Sequence, residues 1–301
     1  MNRTEWLKGR KKYIGGSDIA AIVGLNKYRT PLDVYFDKTS DDVSEITSQA
    51  AKWGTALEDL IAKEYIEVKD VIVTTPSSPI FHPEHSYLGA NIDRWVNANQ
   101  YILECKTAGF MKAKEWGEEY TDQIPESYLC QVAWYSAITG VPKVDIAVLI
   151  GGQDFRIYTY HKNQDFEDKL ITIGKNFWLN HVQKRIPPEP SNLHDISSLY
   201  PRSNGKEIKA NKEIASSLME LKAMNEEKTI LERSIDNLKK NIQEYIRDYD
   251  ILIDENGSVL ATWKNTSPRA CLDLKRFKQE CQDIYLKYVN YSKQTRVFLV
   301  K

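Results

Sequence analysis

Between Gln49 and Val68 the apolar residues Trp53, Ala56, Leu57, Leu60, Ile61 and Tyr65 recur at helical spacing, which predicts an amphipathic helix with Glu58 on the flank of its stripe. Upstream, residues 14–24 read as a glycine turn, a cap at Ser17 or Asp18 and a short apolar helix ending at Gly24. Pro31 opens a second short helix through about Phe36, and residues 39–48 are polar and loop-like. Downstream the period changes. Strand patterns fall at about 70–75, 86–96, 100–107, 144–150 and 154–161, with helices near 126–139 and 164–184. Strands flanked by helices on both sides predict a mixed α/β (α+β) domain over residues 1–190, closed by the linker-like run Pro187-Pro188-Glu189-Pro190.

Residues 191–301 read as a separate small β/α module. A long helix is predicted over 206–249, where Leu231, Ile235, Leu238, Ile242, Tyr245 and Tyr249 keep a 4-3-4-3-4 spacing. That is the mark of a coiled-coil seam or of a helix laid on a neighbour. Asn256-Gly257 predicts a hairpin, followed by a helix at about 273–288 and a terminal strand at 294–300.

Composition narrows the function classes more than it selects one. No apolar stretch approaches the roughly 20 residues of a membrane span, and the first residues lack the apolar core of a signal peptide. The expectation is a cytoplasmic protein. Cys105, Cys130, Cys271 and Cys281 form no C-x-x-C pair, which argues against a zinc ribbon, an iron–sulfur cluster or a disulfide framework. No G-x(4)-G-K-[S/T] is present, so ATP use is not expected. The net charge is −1, but residues 200–301 carry 19 Lys and Arg against 15 Asp and Glu, and the remainder 22 against 27. An acidic first part suits a carboxylate-rich site, and contact with nucleic acid then depends on local basic patches.

The chemistry concentrates around two strands. Asn97-Ala98-Asn99-Gln100 reads as a four-residue hairpin loop, so Val96 pairs with Tyr101, Arg94 with Leu103, and Asp93 lies opposite Glu104. Opposed residues share a face with Cβ atoms roughly 4.5–5.5 Å apart. Two carboxylates so placed repel unless a cation sits between them. Lys106, two residues beyond Glu104, joins the same face. Hard oxygen donors of this kind suit magnesium, which can generate a hydroxide and neutralise charge on a phosphodiester, while the lysine orients the water or steadies the phosphate. Chance placement of two acidic residues on neighbouring strands is the plain alternative. The apolar setting Tyr101-Ile102-Leu103-Glu104-Cys105-Lys106 weighs against an ordinary solvated surface. His82 and His85 sit in a proline-containing loop and make a poor metal scaffold.

Asp93, ten residues, then Glu104-Cys105-Lys106 resembles the D-x(n)-E-x-K core of the PD-(D/E)XK nuclease superfamily. Ile14-Gly15-Gly16-Ser17-Asp18-Ile19, Trp53-Gly54-Thr55-Ala56-Leu57-Glu58, Leu88-Gly89-Ala90-Asn91-Ile92-Asp93, Leu103-Glu104-Cys105-Lys106 and Gln131-Val132-Ala133-Trp134-Tyr135 extend the match. In that order they resemble the YqaJ-type viral recombinases, the branch that includes lambda exonuclease. The resemblance implies a restriction-endonuclease-like core.

It also implies roles. Asp93 and Glu104 would hold metal with the backbone carbonyl of Cys105, and Glu58 would complete a second metal site. The ions would be Mg2+, with Mn2+ as a possible substitute. Lys106 would act on the attacking water, and Gln131 and Tyr135 would border the site. Ser17 would help bind a terminal phosphate, with Arg10 and Trp6 matching by offset the family's basic and aromatic residues near a DNA 5′-phosphate; a solvated basic run and a core tryptophan are the alternatives. The implied activity is 5′-to-3′ degradation of one strand of linear double-stranded DNA, leaving a 3′ tail for a single-strand annealing protein. The implied setting is the cytoplasm of a bacterial host carrying a phage or prophage. A homo-oligomer is expected, and a ring-shaped trimer is permitted. A structure-specific or single-strand endonuclease, or a non-catalytic DNA-binding scaffold, are the competing readings. The second module would serve oligomerisation or partner binding, unless its helix simply packs on its own hairpin.

Overall fold

A computed structural model describes residues 3–41, 48–292 and 294–300 of the 301-residue chain, with side chains described from Glu5 onward. The chain divides into two compact units, Met1–Leu199 and Tyr200–Lys301. The first therefore runs past the proline run to take in a further short helix.

In the first unit, α1 (Arg3–Arg10), α2 (Gly16–Ile22), α3 (Pro31–Thr39) and α4 (Gln49–Lys69) precede the sheet. Strands β1 (Val73–Thr74), β2 (Ile80–Phe81), β3 (Gly89–Ala90), β4 (Arg94–Val96) and β5 (Tyr101–Ala108) follow, then a 3-10 turn at Phe110–Glu115. Next come α5 (Glu126–Thr139), β6 (Lys143–Ile150), β7 (Asp154–His161), α6 (Gln164–Phe177), a π-helical turn at Trp178–Val182 and α7 (Leu193–Leu199). The main sheet has the order β1-β4-β5-β6-β7, and β2 pairs with β3 apart from it. Among the described strands of the main sheet only β5 and β6 run parallel, joined by the α5 crossover that a parallel pair requires.

Both faces of the sheet are covered, so β5 opens as a continuous apolar run and not as an alternating one. Ile102, Ile146 and Val148 face the larger core, with α2, α5 and α6, and Leu103, Ala147 and Ile157 face the smaller core with Ile61, Ala62 and Tyr65 of α4. Helices on both sides of a mixed sheet agree with the expected fold class. The inward stripe of α4 is narrower than expected: Trp53, Ala56 and Leu60 are exposed, and Ile61, Ala62 and Tyr65 carry the packing.

Other differences have local causes. The strand expected at 86–96 is two short strands interrupted at Asn91–Asp93, and the helix expected at 164–184 passes into the π turn. The loop expected at 39–48 begins one residue later, because α3 keeps Thr39, and its positions 42–47 lie outside the described residues. Ser17 does not cap α2. Gly15 is the cap residue, and the carboxylate of Asp18 reaches back to the Gly15 N–H at 2.9 Å. Among the described residues no helix is long and apolar enough to cross a membrane.

The second unit holds α8 (Lys212–Ile246), the antiparallel pair β8 (Ile251–Ile253) and β9 (Val259–Thr262), then α9 (Leu274–Glu280) and α10 (Gln282–Tyr288). Gly257 takes the left-handed conformation its turn demands, at φ 82°. The single helix expected at 273–288 breaks at Cys281, whose φ of −131° is not helical. The terminal strand expected at 294–300 does not form: a strand needs a partner, and β8 and β9 pair only with each other.

Candidate active site

The hairpin register is Val96↔Tyr101, Trp95↔Ile102 and Arg94↔Leu103. The ladder stops there. Asp93 sits one step beyond its end, and its Oδ2 accepts the Cys105 backbone N–H at 2.8 Å. This is a side chain replacing a ladder bond, and it turns the Asp93 carboxyl in beside β5. On β5, Ile102 faces the larger core, so by alternation Glu104 and Lys106 face the same side, toward α5.

Glu104 is buried at 2% exposure, a costly place for a carboxylate unless it is partnered. Its Oε1 accepts Lys106 Nζ at 2.5 Å and Gln131 Nε2 at 2.7 Å. Its Oε2 is buried and has no hydrogen-bond partner. Burial, reinforced by the Glu104 charge, pushes the Asp93 carboxyl up to about 7; Lys106 and the Cys105 amide pull the other way without offsetting it. For Lys106 burial opposes the charged form, but Glu104 and Asp93 outweigh it and hold the ammonium above the usual lysine range. The ammonium also stands 5.0 Å from the centre of the Tyr128 ring.

Gln131 carries this arrangement into α5, since the same Nε2 donates to the Tyr135 hydroxyl at 2.7 Å, one helical turn away. Burial first, then Glu104 and Asp93, push the Tyr135 hydroxyl well up, so it keeps its proton. Gly16 packs directly on this pair: a Cβ there would stand 2.6 Å from Tyr135 Cε1 and 3.0 Å from Gln131 Cγ. Next to Gly16, the Ser17 hydroxyl accepts Arg10 Nη2 at 3.0 Å, and the Arg10 guanidinium lies 4.8 Å from the centre of the Trp6 ring.

Asp93, Glu104, Lys106, Gln131, Tyr135, Ser17, Arg10 and Trp6 are thus linked by one run of neighbouring contacts, buried at Glu104, Gln131 and Tyr135. Glu58 is only partly joined to it. It approaches from α4 on the other face of the sheet, where its Oε1 accepts Arg94 Nη1 at 2.7 Å while Asp59 binds the second nitrogen of the same guanidinium. Burial and the Asp93 charge both raise the Glu58 carboxyl, so it stands within electrostatic reach of the pair. Among the described residues no group of three or more His, Cys, Asp or Glu side chains is gathered so as to hold a metal ion. His82 and His85 stack with ring centres 5.0 Å apart and do not converge on a point.

Over 298 residues, 95% of this chain and 91% of the other, the sequence is 32% identical to the uncharacterized protein YqaJ of Bacillus subtilis (strain 168). The chain belongs to the YqaJ family. Residues 5–142 match the model of the YqaJ-like viral recombinase domain, a span that contains every candidate residue discussed above. Among solved structures it is similar to an alkaline exonuclease from Laribacter hongkongensis, at 18% identity and TM-score 0.49 over 60% of this chain and 93% of that one. It is also similar to a phage related exonuclease from Haemophilus somnus 129PT, at 11% identity and TM-score 0.44 over 60% and 99%.

One group within the YqaJ-family span escaped the sequence reading. Asp18 is 1% exposed and bonds Arg29 Nη1 at 2.6 Å and Lys38 Nζ at 2.7 Å, while Lys38 Nζ also donates to the Arg10 carbonyl at 2.8 Å. Burial alone would raise the Asp18 carboxyl, but Lys38, Arg29 and Arg10 hold it well below the usual carboxylate range. The cluster ties the end of α1, and so Arg10, to the start of α2. The signal for it was Asp18 itself, the one charged residue in the segment from Ile14 to Val23.

Proposed function

We propose that this chain is a metal-dependent DNA exonuclease that degrades one strand of linear duplex DNA from its 5′ end. The 3′ tail left behind would pass to a single-strand annealing protein. The observation that carries this reading is the buried Oε2 of Glu104, which has no hydrogen-bond partner, beside an Asp93 carboxyl that burial and the Glu104 charge push up to about 7. Such a pair is costly as it stands, and a divalent cation satisfies both oxygens at once.

The donor set fits magnesium, or manganese in its place: two carboxylates of β4–β5, with the Cys105 carbonyl as a backbone donor. Glu58 would join a second metal site on exchanging its ion pair with Arg94. Bound magnesium supplies the charge that makes water nucleophilic at neutral pH and offsets charge building on the phosphodiester. The chain's own residues do the rest. Lys106, kept protonated, is suited to orient the water and stabilise phosphate charge, and not to abstract a proton. Gln131 fixes Glu104. The Tyr135 hydroxyl accepts from Gln131 and has its own proton left to donate. Arg10, steadied by Ser17 and Trp6, supplies a guanidinium suited to a terminal phosphate.

The test is digestion of a linear duplex bearing a 5′-phosphate on one strand and a 5′-hydroxyl on the other. It is run with magnesium and with chelator, beside a closed circle and the Glu104→Gln variant. Magnesium-dependent loss of the phosphorylated strand alone, with the circle intact and the variant inert, is expected. Cutting of the circle would replace the reading by an endonuclease, and absence of cleavage would replace it by a DNA-binding scaffold.

A further inference from the structure

α8 runs 35 residues with one buried side chain, Ile246. At about 1.5 Å per residue that is about 52 Å of helix, and helices in water draw most of their stability from packing an apolar face. Before Ile246 that face is bare. Leu231, Ile235, Leu238, Ile242 and Tyr245 are between 41% and 77% exposed, and Lys228 continues their heptad toward the N-terminus. In heptad terms Lys228, Ile235 and Ile242 are a positions, and Leu231, Leu238 and Tyr245 are d positions.

We propose that α8 pairs antiparallel with α8 of a second copy of this chain, in the register that sets Ile235 against Leu238 of the second copy. The charges beside the seam select this arrangement. In a parallel, in-register pair Lys228 would face its own copy inside the seam. Glu227 at g would also face Glu232 at e of the other helix, so both contacts join like charges. In the antiparallel pair a positions face d positions, and e flanks e. Leu231 then meets Ile242, and Lys228 meets Tyr245, where its stem lies along the ring and its ammonium near the hydroxyl. Glu232 meets Lys239. Sliding by one heptad in either direction loses this match, setting Glu232 against itself or Lys239 against itself.

Both head groups are well exposed and have only weak contacts along their own helix, Glu232 at 3.7 Å from Lys228 and Lys239 at 3.6 Å from Asp236. They remain able to reach across. The contact is self-complementary and closes at two copies.

Sedimentation velocity of the full chain over a range of concentrations tests this. A species of about twice 34.8 kDa is expected. Glu232→Lys and Lys239→Glu should each raise the dissociation constant about tenfold, and the double variant should restore it. These side chains are on the surface, and far-ultraviolet circular dichroism checks that each variant keeps its helix. A monomer at every concentration, a trimer, or a dimer indifferent to all three variants overturns the proposal. Tighter association of Glu232→Lys points to the parallel pair and overturns it too, and a double variant no better than the singles overturns the register.

Discussion

Gln131 donates Nε2 to Glu104 Oε1 at 2.7 Å from the far side of the helix–sheet interface, on the same oxygen that Lys106 occupies at 2.5 Å. Two donors on one oxygen leave the other buried and without a partner, and that asymmetry positions the carboxylate. Gln131→Leu keeps the size of the side chain but removes the amide. We expect magnesium affinity and cleavage to fall about 10–100-fold, the usual effect of losing a group that orients a metal ligand. Thermal unfolding should move little, because Lys106 still partners Glu104. Titration with magnesium followed by tryptophan fluorescence, beside the cleavage assay, checks this; an unchanged affinity would remove Gln131 from any positioning role.

Asp93 gives a pH dependence with a definite sign. Its carboxyl is pushed up to about 7 in the folded metal-free chain, against about 3.9 for an unfolded aspartate. The folded state therefore holds a proton that the unfolded state has lost, and this contribution is fully present below about pH 4 and lost as the pH rises through about 7. Chelated protein should lose stability across that window, by at most about 1.4 kcal/mol per pH unit. In the proposed metal site magnesium would compete with the proton, so its stabilising effect should be larger at pH 8 than at pH 6. Urea unfolding at both values, with chelator and with magnesium, measures the difference. Asp93→Asn should abolish it, and persistence in that variant would assign the effect to another group.

The legible part of this molecule was the part where one local rule acts alone. The register of β4 on β5 followed from the loop at 97–100, whose Asn97, Ala98 and Asn99 all have positive φ, and from the two-residue period on either side. That Gln131 and Tyr135 share one helix face followed from their spacing, while their place at the site came from the family resemblance. What escaped depends on contacts between distant segments. Asp18 and Lys38 are types that normally lie at the surface, and their burial is decided by each other, 20 residues apart. The segment 294–300 has strand-like residues, yet no edge of β8–β9 receives it. Helix α1 has a polar sequence with Trp6 and Leu7 as its apolar residues, too little periodicity to announce a helix.

Gly16 tests whether the contact between the α2 turn and α5 is tight. Its backbone has no left-handed strain, so only space opposes a side chain. A methyl group would lie 2.6 Å from the Tyr135 ring and 3.0 Å from Gln131, both enclosed by the core. Gly16→Ala should cost about 1–3 kcal/mol by overpacking and displace the Gln131–Tyr135 pair, lowering cleavage as well. Gly24→Ala makes the contrasting control: it has open space around it but φ of 79°, so it should lose stability through backbone strain with cleavage preserved. Equal loss of cleavage in both would trace the effect to general destabilisation.

The Asp18–Lys38 pair has side chains only 2% and 1% exposed, so removing one partner leaves a charge in a place that water does not reach. Such truncations cost about 3–5 kcal/mol, and Arg29, still 2.6 Å from Asp18, should hold Lys38→Met to the lower end. The same substitution frees the Arg10 carbonyl, which Lys38 holds at 2.8 Å. Amide exchange in α1 should therefore accelerate beyond what global destabilisation accounts for, and discrimination between 5′-phosphate and 5′-hydroxyl ends should weaken. Asp18 adds a pH signature of opposite sign to that of Asp93: its carboxyl is held well below the usual range, so its contribution is present above about pH 4 and lost as the pH falls toward that depressed value. Urea unfolding of the wild type and Lys38→Met between pH 3 and pH 5 separates the two groups. The variant should show the shallower acid slope, and equal slopes would show that Lys38 is not what keeps Asp18 ionised.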